Sequence, residues 1–157
     1  MISTIAHVAS LSVAELEAEG GPLFQQHFDE IRSGDTYQVD PDWKQYRALE
    51  NLGMLLAFGA RDGLTKGAPL IGYLLAIFVE RHLHYQLSYA QVDVAFVSSS
   101  HRGSSAMSNM STLLRESARA LGASELIWHA APDSAMQTIA EKSRRFRLRD
   151  HNYSESI

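Results

Sequence analysis

The stretch from Tyr89 to Gly122 constrains the fold most tightly. Tyr89-Ala-Gln-Val-Asp-Val-Ala-Phe-Val97 reads as an apolar strand, and Ser98-Ser-Ser-His-Arg-Gly-Ser-Ser-Ala106 as a polar turn. An amphipathic helix follows from about Ser105 to Leu121, and Gly122 stops it. A strand that runs through an Arg-Gly-Ser-Ser turn into a helix can hold an anion. Backbone N–H groups and the positive helix end point at it, and Arg102 adds a full charge. The same Ser and Gly residues equally suit a plain turn and helix cap, so the turn by itself leaves both readings open. It has no Gly-Lys-Ser/Thr pair and no three-glycine fingerprint, which excludes the nucleotide-triphosphate and dinucleotide loops.

The rest of the chain must bury that strand and helix. At 157 residues, 45% hydrophobic and 20% charged, it has the size and composition of one folded domain, residues 1–157. The absence of cysteine excludes disulfides, thiolate metal sites and a cysteine nucleophile, and it suits a cytoplasmic setting. The start, Met1-Ile-Ser-Thr-Ile-Ala-His7, lacks the basic segment of a signal peptide. The longest apolar run, Leu70 to Val79, is about half a membrane span. Charge is uneven. Residues 1–100 hold 6 Lys/Arg against 12 Asp/Glu, whereas residues 101–157 hold 8 against 6, five of the eight lying between Lys142 and Arg149. An acidic body with a basic end can face a polyanion locally.

In chain order, Ile2 to Val8 reads as a short strand. Ser12 with Glu15 forms a capping box for a helix to about Glu19. Pro22 opens a second helix whose face carries Leu23, Phe24, His27, Phe28 and Ile31. Asp40-Pro41-Asp42 opens a third, Trp43 to Leu52, closed by Gly53. Met54–Ala60 and Pro69–Val79 are apolar runs around a polar, Gly-containing loop, which predicts an antiparallel hairpin buried on both faces. Ser124 to Ala131 reads as a strand. Pro132-Asp133-Ser134 caps a helix from about Ala135 to Arg144. The tail Arg145-Phe-Arg-Leu-Arg149 alternates with period two, as a strand with its arginines on one side. The expected fold class is α/β (α+β), a mixed and mostly antiparallel central sheet with helices on both faces.

Several residues stand out chemically. Asp93 sits inside an apolar strand, on the face shared with Gln91, Ala95 and Val97. A buried carboxylate there is either hydrogen-bonded to a neighbouring element or at work in chemistry. Glu80, His82, His84 and Tyr85 form a polar rim suited to general-base work or to plain solvation. His82 and His84 have no third ligand placed by sequence, so no metal is expected. Met107, Met110, Leu113, Leu114, Ala118 and Leu121 form a helical stripe that reads as core.

On these segments the chain resembles the GNAT superfamily of acyl-CoA-dependent N-acetyltransferases, over roughly Asp29 to Tyr153. The hairpin resembles the family's second and third strands, Tyr89–Val97 its fourth, Ser98–Ala106 its pyrophosphate loop, and Glu125–Ala131 the fifth strand that splays from the fourth. Leu23–Ile31, His82–Tyr85, Asp93–Val97 with Arg102-Gly103, and Trp128-His129-Ala130 are most similar to members encoded by bacteriophages and prophages. The family loop reads Arg/Gln-x-x-Gly-x-Gly/Ala, and here Ser105 and Met107 stand at the two small positions. The tyrosine that many members carry after the fifth strand is missing.

The resemblance implies transfer of acetyl from acetyl-CoA, as co-substrate, to a primary amine by direct attack. Phe96, Val97 and Ser98 would pair with the pantetheine arm. Arg102, Gly103, Ser104, Ser105, Ala106 and Met107, together with Ser134, would hold the rest of the coenzyme. Asp93, Glu80 and His84 are the candidate bases, and Tyr153 is the candidate acid for the thiolate. The acceptor is expected among protein amines, small metabolites and aminomethylated bases of phage DNA. DNA would be met through Arg145, Arg147 and Arg149. A homodimer is a further expected partner, a membrane is not, and the setting is the host cytoplasm for a phage-encoded chain. The alternative of a different class is a weak or inactive GNAT-fold binding module, such as a virion or host-inhibitor protein.

Overall fold

The capping box predicted at Ser12 sets where the first helix begins. Ser12 Oγ accepts the Glu15 N–H at 3.2 Å, and the Glu15 carboxylate accepts the Ser12 N–H at 2.9 Å. The Glu50 carboxylate takes a further helix-start donor, the Val13 N–H, at 2.8 Å. The computed structural model describes residues 6–32, 34 and 36–148. Within them β1 (Ala6–Ser10) leads into α1 (Val13–Glu19), α2 (Gly21–Ile31) and α3 (Trp43–Asn51). The hairpin β2 (Leu55–Asp62) and β3 (Leu70–Val79) follows, then β4 (Tyr89–Val97) and a 3₁₀ turn (Ser99–His101). The chain continues through α4 (Ala106–Ala120), β5 (Glu125–Ile127) and α5 (Ala135–Lys142). The predicted first strand is thus shifted to Ala6–Ser10, and its opening residues lie outside the described residues. No helix among the described residues is long and apolar enough to cross a membrane.

The five strands lie in sequence order. The first four are antiparallel, and β5 runs parallel to β4. The α/β class with a mixed, mostly antiparallel sheet is the expected one. Ala57–Arg61 and Ile71–Ala76 are buried without alternation, because both faces of the hairpin are covered. On one face Phe58, Leu74, Ala76, Val92 and Val97 pack against Ala106, Met110 and Leu114 of α4. On the other, Ala57, Tyr73, Leu75 and Phe96 pack against Leu11, Leu16 and Leu23. Gly72 lets β3 approach β4 closely, since a Cβ there would stand 2.8 Å from the Phe96 carbonyl oxygen. Buried Arg61 ties β2 to α1 through two bonds to the Glu19 carboxylate, at 2.6 and 2.9 Å, and a third to the Ala68 carbonyl.

Three expectations need correction. The fifth strand is three residues long, not eight, because it pairs only with Tyr89–Gln91 before the two strands part. The tail is not a strand as far as it is described. Residues 144–148 form a turn and irregular backbone, with Phe146 set edge-on to Trp128 at 6.3 Å, so no pleat aligns Arg145 and Arg147 on one side. Arg149 lies outside the described residues. Finally, Leu121 belongs to the helical stripe by spacing but is 44% exposed, since α4 has ended by then. Met110→Ala, at a fully buried site, is expected to cost about 2–5 kcal/mol, whereas Leu121→Ala stays within about 0.5 kcal/mol. Urea unfolding midpoints of the two variants check the contrast.

Candidate active site

The register of β4 against β3 slips by one residue in mid-strand. Leu75 pairs with Val94, but Ala76 pairs with Val92, which leaves Asp93 as the extra residue of a bulge. A bulge resets the alternation of side chains. Val92 and Val97 enter the core under α4, whereas Val94 and Phe96 enter the core under α1–α3. The expectation that Asp93 shares a face with Ala95 and Val97 therefore fails. Asp93 is also exposed rather than buried, because the bulge lifts it out of the ladder. Its Oδ2 accepts a 3.1 Å bond from the Tyr46 hydroxyl of α3. Burial, and then the charge of Asp93, push the Tyr46 phenol well above its ordinary range, so it keeps its proton and acts as donor.

Aromatic rings surround this pair. Tyr46 lies 5.9 Å from Trp43, and Phe24 lies 5.8 Å from Trp43 and 4.7 Å from Tyr73. His27 stacks on Phe96 at 4.8 Å and shares a 2.8 Å hydrogen bond between its Nδ1 and the Tyr73 hydroxyl. Tyr73 is fully buried, which raises its phenol pKa strongly. Burial moves His27 the other way, below 6.5, with a smaller opposing pull from Glu30. Sequence reasoning missed the roles of Tyr46, Tyr73 and His101. A tyrosine inside the apolar run of β3 was the available signal, because a buried phenol needs a partner.

The turn after β4 leads into the helix as predicted. The Ser98 N–H donates to the Ile71 carbonyl at 2.9 Å, which holds the strand end in the sheet. Gly103 takes φ 85°, a left-handed conformation that suits glycine and turns the chain toward α4. At the helix mouth the Ala106 N–H donates to Ser104 Oγ at 3.3 Å, and Ser105 Oγ accepts from the Asn109 amide at 3.2 Å. Met107 lies in the first turn, packed partly against the core. His101 Nδ1 is within 2.8 Å of Ser98 Oγ and 2.9 Å of Ser100 Oγ, and its Nε2 is 3.5 Å from Asp62. An open cleft of 560 Å³ runs from this turn to the α1–α2 junction.

Arg102 does not stand free over the loop as the sequence reading has it. Its Nε donates to the Val97 carbonyl at 3.1 Å, its Nη2 pairs with Glu30 of α2, and its guanidinium lies 5.4 Å from the Phe96 ring centre. Glu80 and His84 lie at the other end of β4. Glu80 follows the Val79–Tyr89 pair, five residues and roughly 16 Å along the strand from Asp93. Its carbonyl accepts from Ser88 Oγ, and the His84 N–H donates to His82 Nδ1 at 3.1 Å. The structure thus joins Asp93 to Tyr46 and not to Glu80 or His84. Ser134 caps α5, accepting the Gln137 N–H at 3.2 Å. Tyr153 lies outside the described residues. Among the described residues no three acidic or histidine side chains gather as metal ligands.

Comparison with known proteins recovers the fold. A ribosomal-protein-alanine N-acetyltransferase from Brucella melitensis biovar Abortus is 19% identical, with a TM-score of 0.67 over 98% of this chain and 97% of that one. An aminoglycoside acetyltransferase from an uncultured soil metagenomic sample, solved with sisomicin, is 13% identical, with a TM-score of 0.72 over 100% and 99%. An acetyltransferase from Trypanosoma brucei is 10% identical, with a TM-score of 0.67 over 98% and 100%. No family model matches the chain, and neither does any curated protein. The fold is that of the GNAT acetyltransferases.

His27 provides a check on the site. Its pKa is lower in the folded chain, so the unfolded chain takes up its proton first as pH falls. The stability tied to neutral His27 is therefore complete above pH 6.5 and is lost as pH drops below it toward the folded value. His27→Gln is expected to flatten that part of the stability profile, read from urea midpoints between pH 7.5 and pH 5.

Proposed function

We propose that the chain is an acetyl-CoA-dependent N-acetyltransferase that moves an acetyl group to a primary amine by direct attack. The observation that carries this reading is the parting of β4 and β5. The strands pair over three residues, and β4 then runs on through the Asp93 bulge to a turn at the mouth of the fifteen-residue α4. An extended arm can lie along the open side of such a strand, with its phosphates at the helix end. The unpaired side near Phe96, Val97 and Ser98 suits the pantetheine arm. The N–H groups from Gly103 to Met107 suit the pyrophosphate, and Ser134 at the start of α5 suits the rest of the coenzyme. Acetyl-CoA supplies the thioester that carries the acetyl group.

Asp93 is the base this reading selects. An amine arrives as an ammonium ion and must lose a proton before its nitrogen can form the new bond. An exposed carboxylate, held by the Tyr46 hydroxyl on the face of α2 and α3, can accept that proton directly or through water. The C–N bond forms as the C–S bond breaks. The nitrogen sheds a second proton, and the departing thiolate takes one up, with Tyr153 as its proposed donor. Three acceptor classes fit this chemistry: a small-molecule amine, a protein amine, and an aminomethylated DNA base met by Arg145, Arg147 and Arg149. The sequence resemblance to phage-encoded members is the ground for the last, whereas the acidic body over residues 1–100 counts toward the first. The alternative reading as a binding module rests on Arg102, whose charge Glu30 already holds.

Calorimetry with acetyl-CoA separates enzyme from module. Micromolar binding is expected, Arg102→Ala weakening it about tenfold, or about 1.4 kcal/mol. No binding at high micromolar ligand would favour the module, and an unchanged affinity in the variant would move the phosphate site elsewhere. With acetyl transfer established, Asp93→Asn is expected to lower kcat/KM about a hundredfold or more. A rate equal to that of the parent protein would remove Asp93 as base. Transfer to amine-bearing DNA that falls steeply as salt rises supports the DNA acceptor, and salt-indifferent activity confined to small amines ends it.

A further inference from the structure

The bulge sets Asp93 against the hydroxyl of the partly buried Tyr46, whose ring lies 5.9 Å from that of the partly buried Trp43, and Phe24 stands 5.8 Å beyond Trp43. A carboxylate next to electron-rich ring faces is a receptor for a cation joined to an apolar body. The charge meets the carboxylate, and the body lies on the rings. The surrounding charges sharpen this. The carboxylates on or capping α2 and α3 have partners of their own: Glu30 pairs with Arg102, Asp29 accepts from Gln25, Asp42 from the Gln45 N–H and Glu50 from the Val13 N–H, whereas Asp93 meets the ring pair. A polycation needs several unpaired carboxylates close together, and those near the rings already hold partners, whereas a polyanion would be repelled by a body that holds 12 acidic residues against 6 basic ones over residues 1–100.

From this juxtaposition we infer that the acceptor is a small amine with a single positive charge on an aromatic or bulky apolar body, recognised by Asp93, Tyr46 and Trp43. The inference rests on the acetyltransferase reading for the name acceptor, but the receptor is a property of the free chain and needs no coenzyme. Tyr46 positions Asp93 as well as contributing its ring. The amide of an Asp93→Asn variant still accepts the Tyr46 bond, so that substitution removes the charge and leaves the rings in place.

Binding is followed by the fluorescence of Trp43 in the full chain carrying Trp128→Phe, the chain's other tryptophan being removed. The probes are 2-phenylethylamine, the neutral 2-phenylethanol and the polycation sisomicin. Phenylethylamine is expected to perturb Trp43 and to bind about tenfold or more tightly than either of the others, since it alone makes both the charge-assisted contact and the ring contact. Asp93→Asn is expected to erase the advantage over phenylethanol while leaving the thermal midpoint unchanged. Equal binding of the alcohol, tighter binding of sisomicin, or an undiminished advantage in Asp93→Asn would each overturn the inference. Calorimetry with acetyl-CoA on the same protein keeps the two readings apart. Coenzyme binding without any response to phenylethylamine sinks the receptor alone, whereas phenylethylamine binding without coenzyme binding upholds the receptor and sinks the transferase.

Discussion

One extra residue in β4 determines how the two halves of the molecule meet. Without the bulge, strict alternation would carry Asp93, Ala95 and Val97 to one face and Val92, Val94 and Phe96 to the other. With it, Val92 and Val97 both serve the core beneath α4, and Val94 and Phe96 serve the core beneath α1–α3. Each core keeps its apolar wall along the length of β4, and the one polar residue of the strand's middle is put out of both. The energetic logic is plain. A carboxylate inside either core would cost several kcal/mol, whereas at the bulge it needs one hydrogen bond and water. The pairing of β5 with β4 stops at Gln91, just before this bulge.

The join between α1 and the sheet is secured by charge as well as by apolar area. Arg61 is buried at the end of β2 and spends its donors on Glu19 and on the turn carbonyl of Ala68. Glu19 closes α1, and Glu15 and Glu50 satisfy donors at its start. Glu15 is held below its ordinary 4.5 chiefly by the Ser12 N–H, and Glu19 by Arg61. The stability these two carboxylates supply is present above that value and is lost as pH falls through their lowered ones. The α1–α2 segment that walls the site is thus anchored by its polar ends.

Much of the fold was legible in sequence because its signals were local. The capping box at Ser12, the proline opening α2 and the two unbroken apolar runs each name an element without reference to anything distant. The failures share the opposite character. The alternation of Arg145, Phe146, Arg147 and Leu148 reads as a strand, but a strand also needs a neighbour, and Phe146 finds Trp128 instead. Asp93 was legible as unusual and not as exposed, because a bulge is a property of two strands together. Tyr46 and His27 gain their roles from partners 47 and 46 residues away, Asp93 and Tyr73, and no spacing rule reaches that far.

Arg102 shows how such distant pairing changes a functional reading. From sequence it is a free charge in an anion loop. In the fold it closes on α2 through Glu30 and back on its own strand through the Val97 carbonyl, with the Phe96 ring beneath it. Both members of the ion pair are near half exposed, so the pair is worth at most about 1 kcal/mol. A pyrophosphate brings two or more negative charges and a better geometry for the guanidinium, so it can displace Glu30 at little cost. Release of Arg102 would also free the Val97 carbonyl for an extended ligand along β4. If the acetyl-CoA reading proposed above holds, the residue that closes this end of β4 is also the one a pyrophosphate would draw away from it.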